Sequence, residues 1–341
     1  MKIPSWHGYI NDARPMSTWH WGKWLGHNKL ASPVEMQSHV GSKTRQMEAK
    51  SKPPPPPPKP PSLSQRQRAS HSAALSTPAG KRGVGWPWDN PATHFLLYNP
   101  YISAGKLTWL FNWELWRPEG TPAHMEWVPC VRTAAQAKDI DPFLTDITNN
   151  QGVLVKHFLG FNEPEHHDQA NMSVDEAVRL WREAILPAKA KFGFRLGSPG
   201  MTSDVGQCKP WLTEFLQKLG RDGGIDFLVV HWYGPSFPAM RQYLEDMYHT
   251  YHLPLWVNEF ACSTMGQGPA RVEEVEQFLQ QALPWLDACD WVERYAYFGI
   301  GQGKDVGDWV GRASNFTETA GGCEETDSRR LSRIGRLYCE S

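Results

Sequence analysis

The sequence predicts an α/β protein: a (β/α)8 TIM barrel, preceded by a disordered, proline-rich basic N-terminal segment. Three observations predict it. Eight strand-length runs rich in Val, Leu, Phe, Tyr and Trp recur between Gly83 and Ile300. Helical patterns lie between several of them. No G-x-G-x-x-G or phosphate loop follows the first run, which sets aside the rival reading of an open, nucleotide-binding sheet. Eight buried strands with intervening helices need about 250 residues, close to the length from Lys81 onward.

The runs, in order, are GVGWPW (83–88), LTWLFNW (107–113), MEWVPC (125–130), KHFLGFNEPE (156–165), FRLGSPG (194–200), IDFLVVHWYG (225–234), LPLWVNEFAC (253–262) and VERYAYFGI (292–300). Each closes in polar, Gly or Pro residues. The clearest helix runs from Ser173 to Phe192. Ser173 and Glu176 form a capping box, and Ala177, Leu180, Trp181, Ala184 and Ile185 follow at helical spacing. Residues 210–219 and 271–283 give two more amphipathic helices, with Pro210 expected in a first turn.

The first 80 residues are of another kind. The chain holds 35 Lys and Arg against 36 Asp and Glu, but residues 1–80 hold eleven basic and three acidic side chains. Residues 53–61 read PPPPPPKPP, a stiff polyproline II run with few backbone donors. Segment 31–80 therefore reads as a disordered basic linker, a spacer or a ligand for an SH3- or WW-type partner. Segment 1–30 holds Trp6, Trp19, Trp21 and Trp24 without a sustained period. It shows no apolar signal core after Met1. The acidic remainder, 81–341, is the expected barrel, and its charge argues against nucleic-acid binding. No run approaches the length of a membrane span.

A barrel of this kind works at the carboxyl ends of its strands. The fourth run ends in Phe161-Asn162-Glu163-Pro164, and the seventh in Asn258-Glu259-Phe260. Each places a carboxylate where an apolar strand runs out. Either Glu alone reads equally well as a surface residue. Two of them, each after Asn and among aromatics, are the equipment of a glycosidase. Burial at that point raises a carboxyl's pKa, as a proton donor requires.

The ordered set LGFNEPE, LGSPG, FLVVHWYG, LPLWVNEFA and ERYAYFG resembles glycoside hydrolase family 128, the alkali-sensitive-linkage-like glycosyl hydrolases, over about residues 81–339. The resemblance implies a retaining endo-β-1,3-glucanase with Glu163 as acid/base and Glu259 as nucleophile. It implies a polysaccharide substrate, a β-glucan, and an extracellular or cell-wall site. A glucan-binding wall protein on the same barrel is the competing expectation. Retention predicts carboxyl groups about 5–5.5 Å apart.

Supporting residues follow from position. Asn162, beside the acid/base, is placed to bond a sugar 2-hydroxyl. His231 and Tyr233 share one face of the sixth strand, and Tyr233 is placed to orient Glu259. His231 also reads as a satisfied core histidine. Asn112 and Trp113 end the second run, and Trp88 ends the first. Trp113 and Trp232 are expected to stack on sugar rings. Tyr297 and Phe298 are expected to line the same cleft. Trp109, Trp127 and Trp256 read as packing. No cofactor is implied. In Glu165-His166-His167-Asp168 neither strand nor helix spacing gives a zinc pair, so no metal is expected. The six cysteines show no C-x-x-C spacing, and Cys323 with Cys339 is a candidate disulfide. Asn171-Met172-Ser173 and Asn315-Phe316-Thr317 are glycosylation sequons.

Overall fold

The computed structural model describes residues 80–87, 90–300, 309–319 and 329–341. The expectations for residues 1–79, for the proline run and its partner, and for Trp88 and Cys323 fall outside the described residues. Cys339 is a buried free thiol.

The elements are β1 (Arg82–Gly85), α1 (Phe95–Ser103), β2 (Trp109–Phe111), β3 (Glu126–Trp127), α2 (Ile140–Asn149), β4 (His157–Phe158), α3 (Val174–Leu180), α4 (Leu186–Phe192), β5 (Arg195–Leu196), α5 (Val205–Leu219), β6 (Leu228–Gly234), α6 (Phe237–Tyr251), β7 (Leu255–Cys262), α7 (Val272–Ala288) and β8 (Val292–Tyr297). A small antiparallel pair, β9 (Thr317–Thr319) and β10 (Arg329–Leu331), and α8 (Arg333–Glu340) complete the order. Each of the eight runs read from the sequence overlaps one of the strands β1 to β8.

Six strands form a parallel sheet in the order β3-β2-β1-β8-β7-β6, and β4 pairs with β5. Single parallel bridges join the two pieces. Cys130 meets Leu159 on the β3 side, and Gly197 and Met201 meet Phe227 and Val230 on the β6 side. Each strand thus has a parallel neighbour on both sides, the ring order of a (β/α)8 barrel.

Strand alternation sorts the apolar residues into two layers. Trp109, Phe111, Trp113, Cys130, Leu159, Phe227, Val229 and Trp256 fill one buried cluster inside the ring. Their neighbours in sequence, such as Leu110, Phe158, Leu228 and Val230, pack in the larger cluster with the helices. Gly83 is required by this interior. A methyl group there would lie 2.3 Å from the Trp109 ring. Gly83→Ala should therefore cost about 1–3 kcal/mol, the usual range for overpacking. A denaturant midpoint equal to that of the wild type would refute this.

At the amino ends of the strands the interior is closed by ions. Glu126 Oε1 accepts from His157 Nδ1 at 2.6 Å, and Oε2 accepts from Arg294 Nη2 at 2.6 Å. The Arg294 guanidinium lies 4.5 Å from the Trp256 ring centre and 5.5 Å from that of Trp109. Burial pushes the Glu126 carboxyl up, but His157 and Arg294 outweigh it and hold it at about 2.

The helix read over Ser173–Phe192 is α3 and α4 joined by a wider turn at Trp181–Ile185, and Ser173 Oγ accepts from the Glu176 N–H at 3.2 Å. The expectation for Pro210 is corrected. Asp204 caps α5 by accepting from the Gly206 N–H at 3.0 Å, so the helix starts at Val205 and Pro210 is interior. A good cap upstream outweighs the single backbone bond that Pro forfeits.

Candidate active site

Glu163 follows β4, Glu259 lies in the carboxyl half of β7, and their side chains converge. A carboxylate oxygen of each and a ring nitrogen of His231 lie within 4.8 Å of one another. Two local irregularities aim these carboxylates. In β7 one extra residue intervenes: Val229 pairs with Trp256, but His231, two residues on, pairs with Glu259, three residues on. Trp256 points inward, so plain alternation would turn Glu259 outward. The bulge turns it back in. Glu163 takes a left-handed backbone, φ 47°, and its N–H donates to the Gly200 carbonyl at 2.8 Å. Gly200 also makes room for the neighbouring ring, because a Cβ there would meet His231 Nε2 at 2.8 Å.

His231 bridges the pair. Its Nδ1 lies 2.7 Å from Glu163 Oε1 and 3.6 Å from Glu259 Oε2. Burial pulls the imidazole toward neutrality, but the charges of Glu259 and Glu163 overcome it and raise it to about 9. The two glutamates thus favour the protonated imidazole, which in turn offsets part of their charge. The reading of His231 as an ordinary core histidine does not describe this contact.

Glu259 accepts from the Tyr233 hydroxyl at 2.7 Å on Oε2 and from the Trp113 indole N–H at 2.6 Å on Oε1. Burial raises its pKa, and the charge of Glu163 adds to that; His231, Tyr233 and Trp113 pull the other way. Phe298 packs beside both donors, its ring centre 5.9 Å from Trp113 and 5.9 Å from Tyr233.

The other expected site residues divide. Asn162 adjoins the pair, and its Nδ2 lies 3.3 Å from Gln169 Oε1. Asn112 is fully buried, accepting from Trp127 Nε1 at 3.0 Å and donating to the Trp116 carbonyl at 2.9 Å. Trp232 packs outside the ring against Tyr243 of α6, with ring centres 5.5 Å apart. Tyr297 also faces outward, 2.7 Å from Ser314 Oγ and stacked on Phe316. These three are not brought to the carboxylates.

One further carboxyl, half-buried, lies close to the pair. Glu165 Oε1 accepts from the Thr202 N–H at 2.7 Å, and burial together with the charge of Glu163 raises it to about 7. The next three residues form a tight turn that strand and helix spacing do not anticipate. One nitrogen or oxygen each of His166, His167 and Asp168 falls within 4.8 Å of the others there, with His167 and Asp168 exposed and 3.2 Å apart.

The arrangement is a desolvated carboxylate held by two neutral donors, facing a second carboxylate across an imidazole. Such a set of groups is chemically able to deliver a proton and to attack an electrophilic carbon.

Comparisons with known proteins agree in kind. The family model described as "Glycosyl hydrolase catalytic core" matches residues 83–329. Alkali-sensitive linkage protein 1 of Schizosaccharomyces pombe is 29% identical over 267 residues, covering 77% of this chain. The chain spans only 45% of that relative's length. Among solved structures, a family 128 subgroup III curdlan-specific exo-β-1,3-glucanase from Blastomyces gilchristii, in complex with glucose, is 28% identical with a TM-score of 0.59, covering 78% of this chain and 100% of that one. A family 128 subgroup I endo-β-1,3-glucanase from Amycolatopsis mediterranei, in complex with laminaritriose, is 24% identical with a TM-score of 0.58, covering 76% and 98%.

Proposed function

Because the chain belongs to the glycosyl hydrolase catalytic core family, we propose that it hydrolyses β-1,3-glucan with retention, Glu163 acting as acid/base and Glu259 as nucleophile. The observation that carries this reading is the convergence of the two carboxylates. One oxygen of Glu163 lies within 4.8 Å of one oxygen of Glu259, which favours the close spacing of retaining enzymes, whose carboxyl groups are only about 5–5.5 Å apart. Inverting ones leave about 6.5–9.5 Å for a water.

Glu163 gives its proton to the glycosidic oxygen as that bond breaks. Glu259 attacks the anomeric carbon and forms a glycosyl ester. Glu163, now charged, takes a proton from water, whose oxygen displaces Glu259. His231, bonded to Glu163 and close to Glu259, is placed to track the charge that passes between them. Asn162 is proposed to bond the sugar beside Glu163.

The substrate assignment is supported by the glucanases above. We further propose endo action, as in the Amycolatopsis enzyme, within a catalytic unit spanning 81–341, and a place of action at the wall or outside the cell, where such glucans lie.

The test is laminarihexaose hydrolysis by the full chain, followed by proton NMR during the first minutes. The β-anomer should appear first, with mixed internal products. An α-anomer first would overturn retention; glucose alone would overturn endo action. No hydrolysis of any β-1,3-glucan by folded protein would overturn the whole reading.

A further inference from the structure

We propose that Trp113 is a positioning residue for the nucleophile: its indole N–H fixes Glu259 Oε1 and stabilises the carboxylate as it leaves the glycosyl-enzyme. The inference rests on the retaining reading above.

Trp113 is not placed as a sugar platform. It is 3% exposed, its ring lies 4.5 Å from that of Phe111, and its N–H points at Glu259. Its backbone is left-handed, φ 56°. A bulky residue there is strained, and such strain persists where the surroundings over-determine it, commonly at active sites. The strained turn ends β2 and delivers one donor to one oxygen.

The chemistry of that donor matters. Indole N–H donates only, so it cannot take the proton or the charge of Glu259. Tyr233 holds the other oxygen in the same neutral way. When the glycosyl ester forms, Glu259 loses its charge and the N–H bond weakens. When water attacks, the bond from the anomeric carbon to Glu259 breaks, and its electron pair returns to the carboxylate. The water proton goes to Glu163. A donor that is stronger toward carboxylate than toward ester favours this second step.

The test replaces Trp113 with Phe and, separately, with 3-benzothienylalanine, in which sulfur takes the place of the N–H at nearly unchanged shape. The substrate is 2,4-dinitrophenyl β-laminaribioside, whose leaving group needs no proton. The expected result in both variants is a kcat lowered about tenfold to a hundredfold, the worth of one hydrogen bond to a charged group. Dinitrophenolate should appear in a burst, with the covalent adduct visible by intact mass. The acid limb of the pH profile should move to higher pH, because Glu259 has lost a donor that favours its charged form.

Variants as heat-stable as the wild type, with unchanged kcat and acid limb, would overturn the inference. Slower turnover with neither burst nor shifted limb would also overturn it, by reducing Trp113 to packing. If the Phe variant does not fold, the benzothienyl variant decides. If the wild type releases no dinitrophenolate, the glycosidase reading falls first and takes this inference with it.

Discussion

Glu259→Ala should lose glucan hydrolysis by about 10^4-fold or more, the scale on which removal of a nucleophile from a working unit is felt. Glu163→Ala should be nearly as damaging on glucan, yet mild on aryl glucosides whose leaving group needs no proton. Azide separates the two. In Glu259→Ala it enters the space of the carboxylate and gives the α-glycosyl azide. In Glu163→Ala it replaces water in the second step and gives the β-glycosyl azide. Thermal melts of both variants should show that they stay folded, so that lost activity reports on chemistry. The identity of the azide adducts, read by NMR, checks the assignment. Activity retained in both variants would show that other groups do the chemistry, and exchanged stereochemistry would show the roles reversed.

Arg294→Met should be the most damaging change away from the cleft. The guanidinium is 3% exposed and the Glu126 carboxylate 6%. Removing the cation leaves Glu126 buried with only His157 as partner. Breaking a buried pair in this way costs about 3–5 kcal/mol, roughly 10 °C in Tm for a domain of this size. Removing both charges, with Glu126→Leu and Arg294→Leu, should recover much of the loss, because the apolar pair needs no desolvation.

The sign of the pH effect follows from Glu126. Its folded pKa, about 2, lies below the ordinary 4.5. The pair therefore stabilises the fold fully above the ordinary value. That stability is lost as pH falls from 4.5 toward 2. Glu126→Gln should remove this component of the acid unfolding curve. A single Arg294→Met as stable as the wild type would show that the ions contribute nothing.

The sequence carries strand positions well because burial writes itself as composition. The eight apolar runs are short, β-branched or aromatic, and closed by Gly, Pro or polar residues, which together favour strands. Glu163 and Glu259 stand out only as a pair: either alone reads as a surface residue, but two carboxylates, each after Asn and among aromatics at the end of such a run, do not. Facing was less legible. Trp113, Trp232 and Tyr297 look alike as strand-end aromatics, but one points to Glu259 and two point to the helices. The β7 bulge that turns Glu259 inward leaves no mark in LWVNEFAC, and neither does the left-handed turn at Trp113. Helix starts failed where a cap was missed, as with Asp204 before α5. The ion cluster of Glu126, His157 and Arg294 joins residues on three strands. No local spacing predicts that.

Continuous ladders link β6, β7, β8, β1, β2 and β3, whereas β4 and β5 are fastened to them only by isolated bridges. The proposed nucleophile belongs to the large piece and the proposed proton donor to the small one. The distance between them is thus set at a joint rather than along a beam. His231, a part of β6 whose ring reaches Glu163, acts as the clasp across that joint. Anything that loosens the β5–β6 seam should detune the spacing of the carboxylates before it unfolds the barrel.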